Sequence, residues 1–536
     1  MSILNADILH ILISELLPSK GSSPKTTLLN LASASRHFRE ACLPFLFAEV
    51  RWPHKSKADK ESGLQFYPDT LWPYIRHFRL EWHDEWTEPG RIRYGYMDRD
   101  GNYCPRHLDV CISAILKMPK LNKFTLSCPF IPPQALFEAI GQCRALNAFT
   151  LIDTPVDMGL VSLYPAPLRF VNLTPVGQSL RIGDGLIDPK FSEITFFMKD
   201  WRRKHRSQTS LRGLRELRSS AVFLRQHAPN LTHLELSGDL CSFVSLAAIH
   251  WPNLHTFVLH GHIPNAQPTL LFQNGPTPPD VHIFDVLDRM PCLSDLRLLF
   301  SRRAQDFDLL GPEPLDASRA AKLASLTSFA VSNACKLDGI LQHMTSLERL
   351  AILALVDLPR WPIALGHGEV ARVLADVARS GCQLKHLRII IEDKLTPAIC
   401  RLIATNCPDL EVLEVELCGY HDGKSVCSGH EFLDALSPLP CLRALRLCMQ
   451  FPEYDEMDDQ ELWRTAREDC ARYFAQGLKT LRKIGFEYRK RTGTHRYQDA
   501  WLDFEISRGE QEGALRQLPA MWYAFPEVWR PSRLPF

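Results

Sequence analysis

One hydrophobic pattern recurs along this chain: an apolar residue, usually Leu, then two residues, a second apolar residue, one more residue, and a third apolar residue. It reads "IRHFRL" from Ile75, "LNKFTL" from Leu121, "LNAFTL" from Leu146 and "LRFVNL" from Leu168. It returns as "LTHLEL" from Leu231, "LHTFVL" from Leu254, "LSDLRL" from Leu293 and "LTSFAV" from Leu326. Then come "LERLAI" from Leu347, "LKHLRI" from Leu384, "LEVLEV" from Leu410, "LRALRL" from Leu442 and "LRKIGF" from Leu481. The alternation at its end is that of a strand. Pro, Gly, Cys or Ser commonly precedes it, as in "APNL", "WPNL", "MPCL" and "CPDL", which marks a turn. Several intervals carry apolar residues at helical spacing, among them "HLDVCISAILKM", "EVARVLADVARS" and "TPAICRLIATNC". In the last, Thr396 suits an N-cap and Pro397 the first helical position. Strand, loop, helix and turn, repeated, predict an α/β solenoid with parallel strands on its concave face and helices outside. No single unit can bury its apolar face, so stacking supplies the core.

The start of the chain follows another pattern. "LNADILHILISELL", from Leu4 to Leu17, is apolar almost all the way round, with His10, Ser14 and Glu15 left for water. A polar loop, "PSKGSSPKTT", follows. Next, "LLNLASASRHFREACLPFLFAEVRW" predicts two further short helices ending near Trp52, with Leu28, Leu31, Phe38, Leu43, Leu46 and Phe47 closing a small core. That core uses only part of the first helix, and a unit of about 50 residues is marginal alone. The surplus apolar surface predicts a docked protein. The alternative is an N-terminal cap for the solenoid, although a cap presents a polar outer face and this helix does not.

Over residues 75–490 the repeat resembles the leucine-rich repeat; "CPDLEVLEVELCG" matches its cysteine-containing variety, with Cys418 at the position usually held by Asn or Cys. Spacings run from 21 residues (Leu326 to Leu347) to 46 (Ile75 to Leu121), against about 20–29 in a regular array. The Asn/Cys position is mostly unfilled elsewhere, register is lost between Leu168 and Leu231, "LRGLREL" fits strand or helix, and Pro-rich stretches read as insertions. An irregular solenoid is expected. Residues 4–50 resemble an F-box. Leu4, Asp7, Ile8, Leu9 and Leu12 fall on its opening motif, and "LNLASASRHFRE", with Leu31 and Phe38, matches its middle. "LPFLFAEVRW" matches the ending of fungal members that carry irregular leucine-rich repeats. Asn5 stands where the motif usually has Pro, and the first loop is long. The resemblance implies an F-box-like helical module at 1–52, a connecting segment with a first degenerate repeat at 53–105, the repeat solenoid at 106–490, and a C-terminal cap or tail at 491–536. It implies a non-catalytic substrate receptor of an SCF-type ubiquitin ligase. Leu4, Asp7, Ile8, Leu9, Leu12, Leu31 and Phe38 would then bind a Skp-type adaptor, and through it a cullin-RING ligase. The competing expectation is a leucine-rich-repeat scaffold with no link to ubiquitin.

Composition changes this picture little. A chain of 536 residues exceeds one compact core, and 45% apolar with 23% charged residues is ordinary for a folded protein. The formal charge of +1 supplies no global field for nucleic acid or acidic lipid, and neither is an expected partner. Asp7 and Glu15 and the lack of a basic start argue against a secretory signal, and no apolar run of about 18 residues predicts a membrane span. The sixteen cysteines then read as reduced thiols of a cytoplasmic or nuclear protein, with Cys292 and Cys441 expected as small buried hydrophobes.

The chemical motifs are weak. "CGYHDGKSVCSGH" holds two C-x-x-H pairs, Cys418 with His421 and Cys427 with His430, only five residues apart, and no metal is expected there. "GYHDGKS" is one residue short of a phosphate-binding loop, and "WRRKHR" from Trp201 reads as a solvated basic run. "EYDEMDDQE" opens a helix, "LWRTAREDCARYF". No cofactor is expected. The candidate substrate contacts are fifth residues of the repeat: Arg297, Arg388, Glu414 and Arg446. The last three alternate in sign, which predicts either cross-strand pairs or a charged patch for a protein substrate.

Overall fold

The computed structural model describes residues 13, 24–52, 67–81, 95–97, 103–105, 108–128, 131–152, 154, 193–197, 211–264, 281–300, 307–310, 315–337, 339–353, 365–392, 394–417, 429–449, 451, 460–493, 496–507, 515–517 and 521–522. The chain divides into two units, Met1–Cys292 and Leu293–Phe536, and its architecture is α/β.

The first unit opens with α1 (Pro24–Ala34) and α2 (Arg36–Leu46), which Ser35 separates; the Ser35 hydroxyl caps α2 by accepting from the Phe38 N–H at 3.2 Å. Next come β1 (Glu49–Trp52), a 3-10 turn (Asp69–Tyr74) and β2 (His77–Glu81). A small antiparallel hairpin, β3 (Gly95–Met97) with β4 (Tyr103–Pro105), precedes α3 (Leu108–Leu116) and β5 (Lys123–Ser127). The unit continues with α4 (Gln134–Gln142), β6 (Ala148–Ile152), β7 (Glu193–Phe197), α5 (Leu211–His227) and β8 (His233–Ser237). It ends with α6 (Phe243–Ala247), β9 (Thr256–Gly261) and α7 (Ile283–Leu287). Strands β1, β2, β5, β6, β7, β8 and β9 lie side by side in that order, all parallel.

The second unit runs β10 (Asp295–Phe300), β11 (Phe307–Asp308), α8 (Ala317–Ala324), β12 (Ser328–Ser332), β13 (Cys335–Lys336) and β14 (Arg349–Leu353). It goes on through α9 (His367–Ser380), β15 (His386–Ile391), α10 (Pro397–Asn406), β16 (Val412–Leu417), α11 (Gly429–Leu436) and β17 (Ala444–Leu447). The last elements are α12 (Gln460–Gly477), β18 (Lys483–Gly493), β19 (Arg496–Ile506), β20 (Leu515–Gln517) and β21 (Met521–Trp522). Strands β10, β12, β14, β15, β16, β17 and β18 are parallel neighbours. From there the sheet turns antiparallel: β19 pairs with β18, and β20 and β21 pair with β19.

The motif explains this regularity. Its leading residue is buried in every described copy, from Ile75 to Leu481, and its third residue opens the strand. The N–H groups of the second and third residues share one acceptor, the second-position carbonyl of the preceding repeat. Lys385 and His386 donate to Glu348, and Glu411 and Val412 to Lys385. Fourth and sixth residues point into the core, where Phe78, Phe124 and Phe149 form an aromatic row with ring centroids 5.9 and 6.4 Å apart. The helices bury a stripe at helical spacing, as α9 does with Val370, Val373, Leu374 and Val377. Thr396 caps α10 ahead of Pro397, as expected.

Two expectations change, and one open reading is decided. "LPFLFAEVRW" does not stay helical: α2 stops at Leu46, and the alternation of buried Val50 and Trp52 with Glu49 and Arg51 makes β1 the first strand of the sheet. "LRGLREL" is helical, within α5. The copy at Leu168 lies outside the described residues, and the strand between β6 and β8 is β7. Cys292 and Cys441 are exposed, because the residue before the leading Leu lies on the outside of the turn; the buried thiols include Cys111, Cys241 and Cys400. Every described cysteine is free. No described helix is long and apolar enough to cross a membrane.

Candidate interaction site

Fifth residues of the repeat fall on the sheet face opposite the fourth and sixth. In the second unit register aligns them across seven strands and β19: Arg297, Ala330, Ala351, Arg388, Glu414, Arg446, Gly485 and Asp503. Arg388 donates to Glu416 Oε1 at 2.7 Å and lies 3.6 Å from Glu414. Arg446 reaches Glu414 at 3.2 Å and grips Asp503 with two bonds, Nε to Oδ1 at 3.0 Å and Nη2 to Oδ2 at 2.8 Å. Lys483 adds a third contact to Asp503 at 3.1 Å. Trp501 lies with its ring 5.6 Å from the Arg446 guanidinium, and its indole N–H points to Glu416 at 3.4 Å. Gly485 makes the Arg446–Asp503 fork possible: a Cβ there would stand 2.2 Å from Asp503 Oδ1 and 3.0 Å from Arg446 Cγ.

Three cations, Arg388, Arg446 and Lys483, thus face three carboxylates, Glu414, Glu416 and Asp503. The arginines and carboxylates are buried. Burial pushes the Asp503 carboxyl up, but the hydrogen bonds and charge of Arg446, with Lys483, outweigh it and hold the group below its ordinary range. Chemically the arrangement is a closed ion-pair network. It brings Arg388, Glu414 and Arg446 together as cross-strand partners. Arg297 stands apart, beyond Ala330 and Ala351, and forks onto Asp295 of its own strand at 2.6–3.2 Å. The sequence reading missed Glu416 and Asp503, although Glu416 sits two residues beyond Glu414, on the same face.

A second charged group opens the first unit's sheet. Glu49 on β1 meets His77 at 3.5 Å and Arg79 at 3.4 Å, Arg79 also reaches Glu81 at 3.4 Å, and Arg51 pairs with Glu81. The His77 hydrogen bond, helped by Arg79 and opposed by burial, pulls the Glu49 carboxyl down to about 2. Unlike the other network this one is open, with the Glu49 side chain 57% exposed. Beyond it, register aligns Thr125, Thr150 and Thr195.

The ninth motif position, where Asn or Cys is common, carries other polar groups in the first unit. The Thr154 hydroxyl accepts the Cys128 N–H at 3.1 Å. In the next described repeats the position is held by Asp239 and His262, bonded at 2.6 Å, while Ser237 donates to the other Asp239 oxygen at 3.0 Å. This Ser–Asp–His group resembles a catalytic triad in composition only: the serine bonds the carboxylate rather than the imidazole. It ties adjacent repeats together.

Of the residues assigned to adaptor binding, Leu4, Asp7, Ile8, Leu9 and Leu12 lie outside the described residues. Ile13 is helical and buried at 1% exposure, in a cluster with Leu28, Ala32, Cys42 and Leu46. Leu31 packs against that cluster half-buried, and Phe38 is half-buried. Leu29, one residue from Leu28 on α1, is 53% exposed. Residues 418–428 and the basic run at 201–206 are outside the described residues. His430, at the start of α11, bonds Asp434 at 3.1 Å. No group of metal-ligating side chains occurs among the described residues. Comparison with protein-family models and with curated proteins returns no match.

Proposed function

We propose that this chain is the substrate-recognition subunit of an SCF-type ubiquitin ligase, holding a Skp-type adaptor with its N-terminal helices and a protein substrate with its repeat unit. The observation that carries the reading is the order of parts. Helices with a small core at Ile13, Leu28, Ala32, Cys42 and Leu46 run straight into β1, the first strand of a repeat sheet, and the middle segment of the F-box resemblance, "LNLASASRHFRE", falls on α1 and α2. Such a protein donates no catalytic group; it raises the effective concentration of a substrate beside the ubiquitin-charged enzyme and orients it. The role belongs to the cytoplasm or nucleus.

Size-exclusion chromatography with a purified Skp-type adaptor tests the reading. The full chain should co-elute with the adaptor, and Leu9→Asp with Leu12→Asp should weaken the complex by a hundredfold or more, on the order of losing two apolar anchors. Undiminished co-elution of the double variant rejects the interface. One observation favours a second reading, in which the helices only cap the repeats: Ile13 is already sheltered by α1 and α2. On that reading the wild-type chain does not bind the adaptor at all.

A further inference from the structure

With β1 in place, the segment that follows α2 fits the repeat motif. "FAEVRW", Phe47 to Trp52, has apolar residues at its first, fourth and sixth positions, and its third residue, Glu49, opens the strand. Val50 and Trp52, the fourth and sixth residues, are 4% and 2% exposed. At the second position the Ala48 carbonyl accepts the N–H groups of Arg76 and His77 at 2.9 and 2.8 Å. The Arg76 carbonyl takes those of Asn122 and Lys123 at 2.9 and 3.0 Å, and the Asn122 carbonyl takes those of Asn147 and Ala148, both at 3.0 Å. The hydrogen-bond ladder that links one repeat to the next therefore starts at Ala48. In-register pairs from Glu49 with His77 to Trp52 with Leu80 extend it.

Helix α2 thus holds two places at once. Ahead of this motif copy it stands where α3 stands ahead of β5 and α9 ahead of β15. In the helical module its Cys42 and Leu46 are core residues beside Ile13, Leu28 and Ala32. Phe47 belongs to both: it leads the motif copy, packs against that cluster, and donates its N–H to Leu43 at 3.0 Å. Only Phe47 and Ala48 separate helix from strand, and main-chain hydrogen bonds hold each of them. A hinge needs residues free to absorb a change in φ and ψ, and this span leaves none. Side chains brace it further. The Tyr67 hydroxyl donates to the Arg51 carbonyl at 2.9 Å, and Arg51 with Glu81 and Arg79 with Glu49 cross-link β1 to β2.

We infer that α2 and β1 are the first repeat of the array, so that the helical module and the first unit's sheet form one cooperative body joined rigidly through Phe47–Trp52. A partner gripped by α1 and α2 is then held at one angle to that sheet, which fixes the orientation of anything the repeats carry. The inference stands apart from the adaptor reading, since it is measured on the full chain alone. Native-state hydrogen exchange, read by mass spectrometry, tests it. The slowest amides of α2 and of β2 should open together, with one free energy. Trp52→Ala should speed both by the same factor, about a hundredfold or more, as loss of a buried aromatic does. Should that variant not fold, Val50→Ala asks the same question at about tenfold. Inserting Gly-Ser-Gly-Ser between Leu46 and Phe47 should cut the coupling, so that the Trp52 or Val50 substitution then speeds β2 and no longer α2. Any of three results overturns the inference: α2 opening at its own lower free energy in the unaltered chain, α2 indifferent to both substitutions, or coupling that survives the insertion.

Discussion

The charged network of β15–β19 and the charged group of β1 and β2 both pair arginines with carboxylates on the sheet face opposite the core, yet they differ in kind. Arg388, Glu414, Arg446 and Asp503 are each under a tenth exposed, and every carboxylate there answers a cation. Glu49, by contrast, stands largely in water beside His77 and Arg79. Removing a partner from the first leaves a buried charge with nothing to replace it; removing one from the second lets water in. Energetic weight therefore follows burial rather than the number of ion pairs.

The strongest break is Asp503→Ala. It removes both bonds that Arg446 makes to β19 and the Lys483 contact, and losing one partner of a buried pair costs about 3–5 kcal/mol. Denaturant unfolding followed by circular dichroism should show that loss in the second unit's transition. A loss below about 1 kcal/mol would put the network in the class of exposed pairs. Replacing Arg446 and Asp503 together by Met and Leu should restore more than half of it, because apolar residues of similar volume substitute for buried ion pairs with little penalty.

Gly485→Ala comes next. The added methyl has nowhere to go between Asp503 Oδ1 and Arg446 Cγ, so the fork must shift. Overpacking of this sort costs about 1–3 kcal/mol. The same substitution at Gly368, in the first turn of α9, whose Cβ would meet nothing within 4 Å, is the control and should leave stability unchanged or slightly raised, as expected where Ala replaces Gly in a helix without a clash.

These contrasts mark where sequence reasoning succeeds. The six-residue motif located the strands at β2, β5, β6, β8–β10, β12 and β14–β18, because a two-residue alternation behind a buried leading Leu is local physics. It passed over β7, yet "FSEITF" from Phe191 is the same pattern with an aromatic in the leading place. It also missed β1, since four residues after a helical run give too short an alternation to separate strand from helix. Arg388, Glu414 and Arg446 could be aligned from spacing alone. Their burial could not, nor could Asp503, which reaches the row through an antiparallel return that no repeat period announces. Asp239 and His262 sit at the ninth position and were overlooked because the pattern asked for Asn or Cys; any polar pair able to bridge adjacent turns fills it.

The smallest expected effect sharpens the comparison from the open side. Glu49 titrates near 2 in the folded chain and in the ordinary carboxylate range, about 4.3, when unfolded. Folding therefore favours its charged form: the stabilisation is present above about pH 4.3 and is lost as pH falls through about 2. Its side chain is 57% exposed, so water and salt screen the interaction, and an exposed pair measures about 0.2–1 kcal/mol. Glu49→Gln should then lower stability by that amount at pH 7 and by progressively less as pH falls through about 2, and 1 M salt should shrink the difference. A pH-independent loss would mean that Glu49 acts through packing on β1 rather than through charge. A loss near that of Asp503→Ala would erase the distinction between the two clusters.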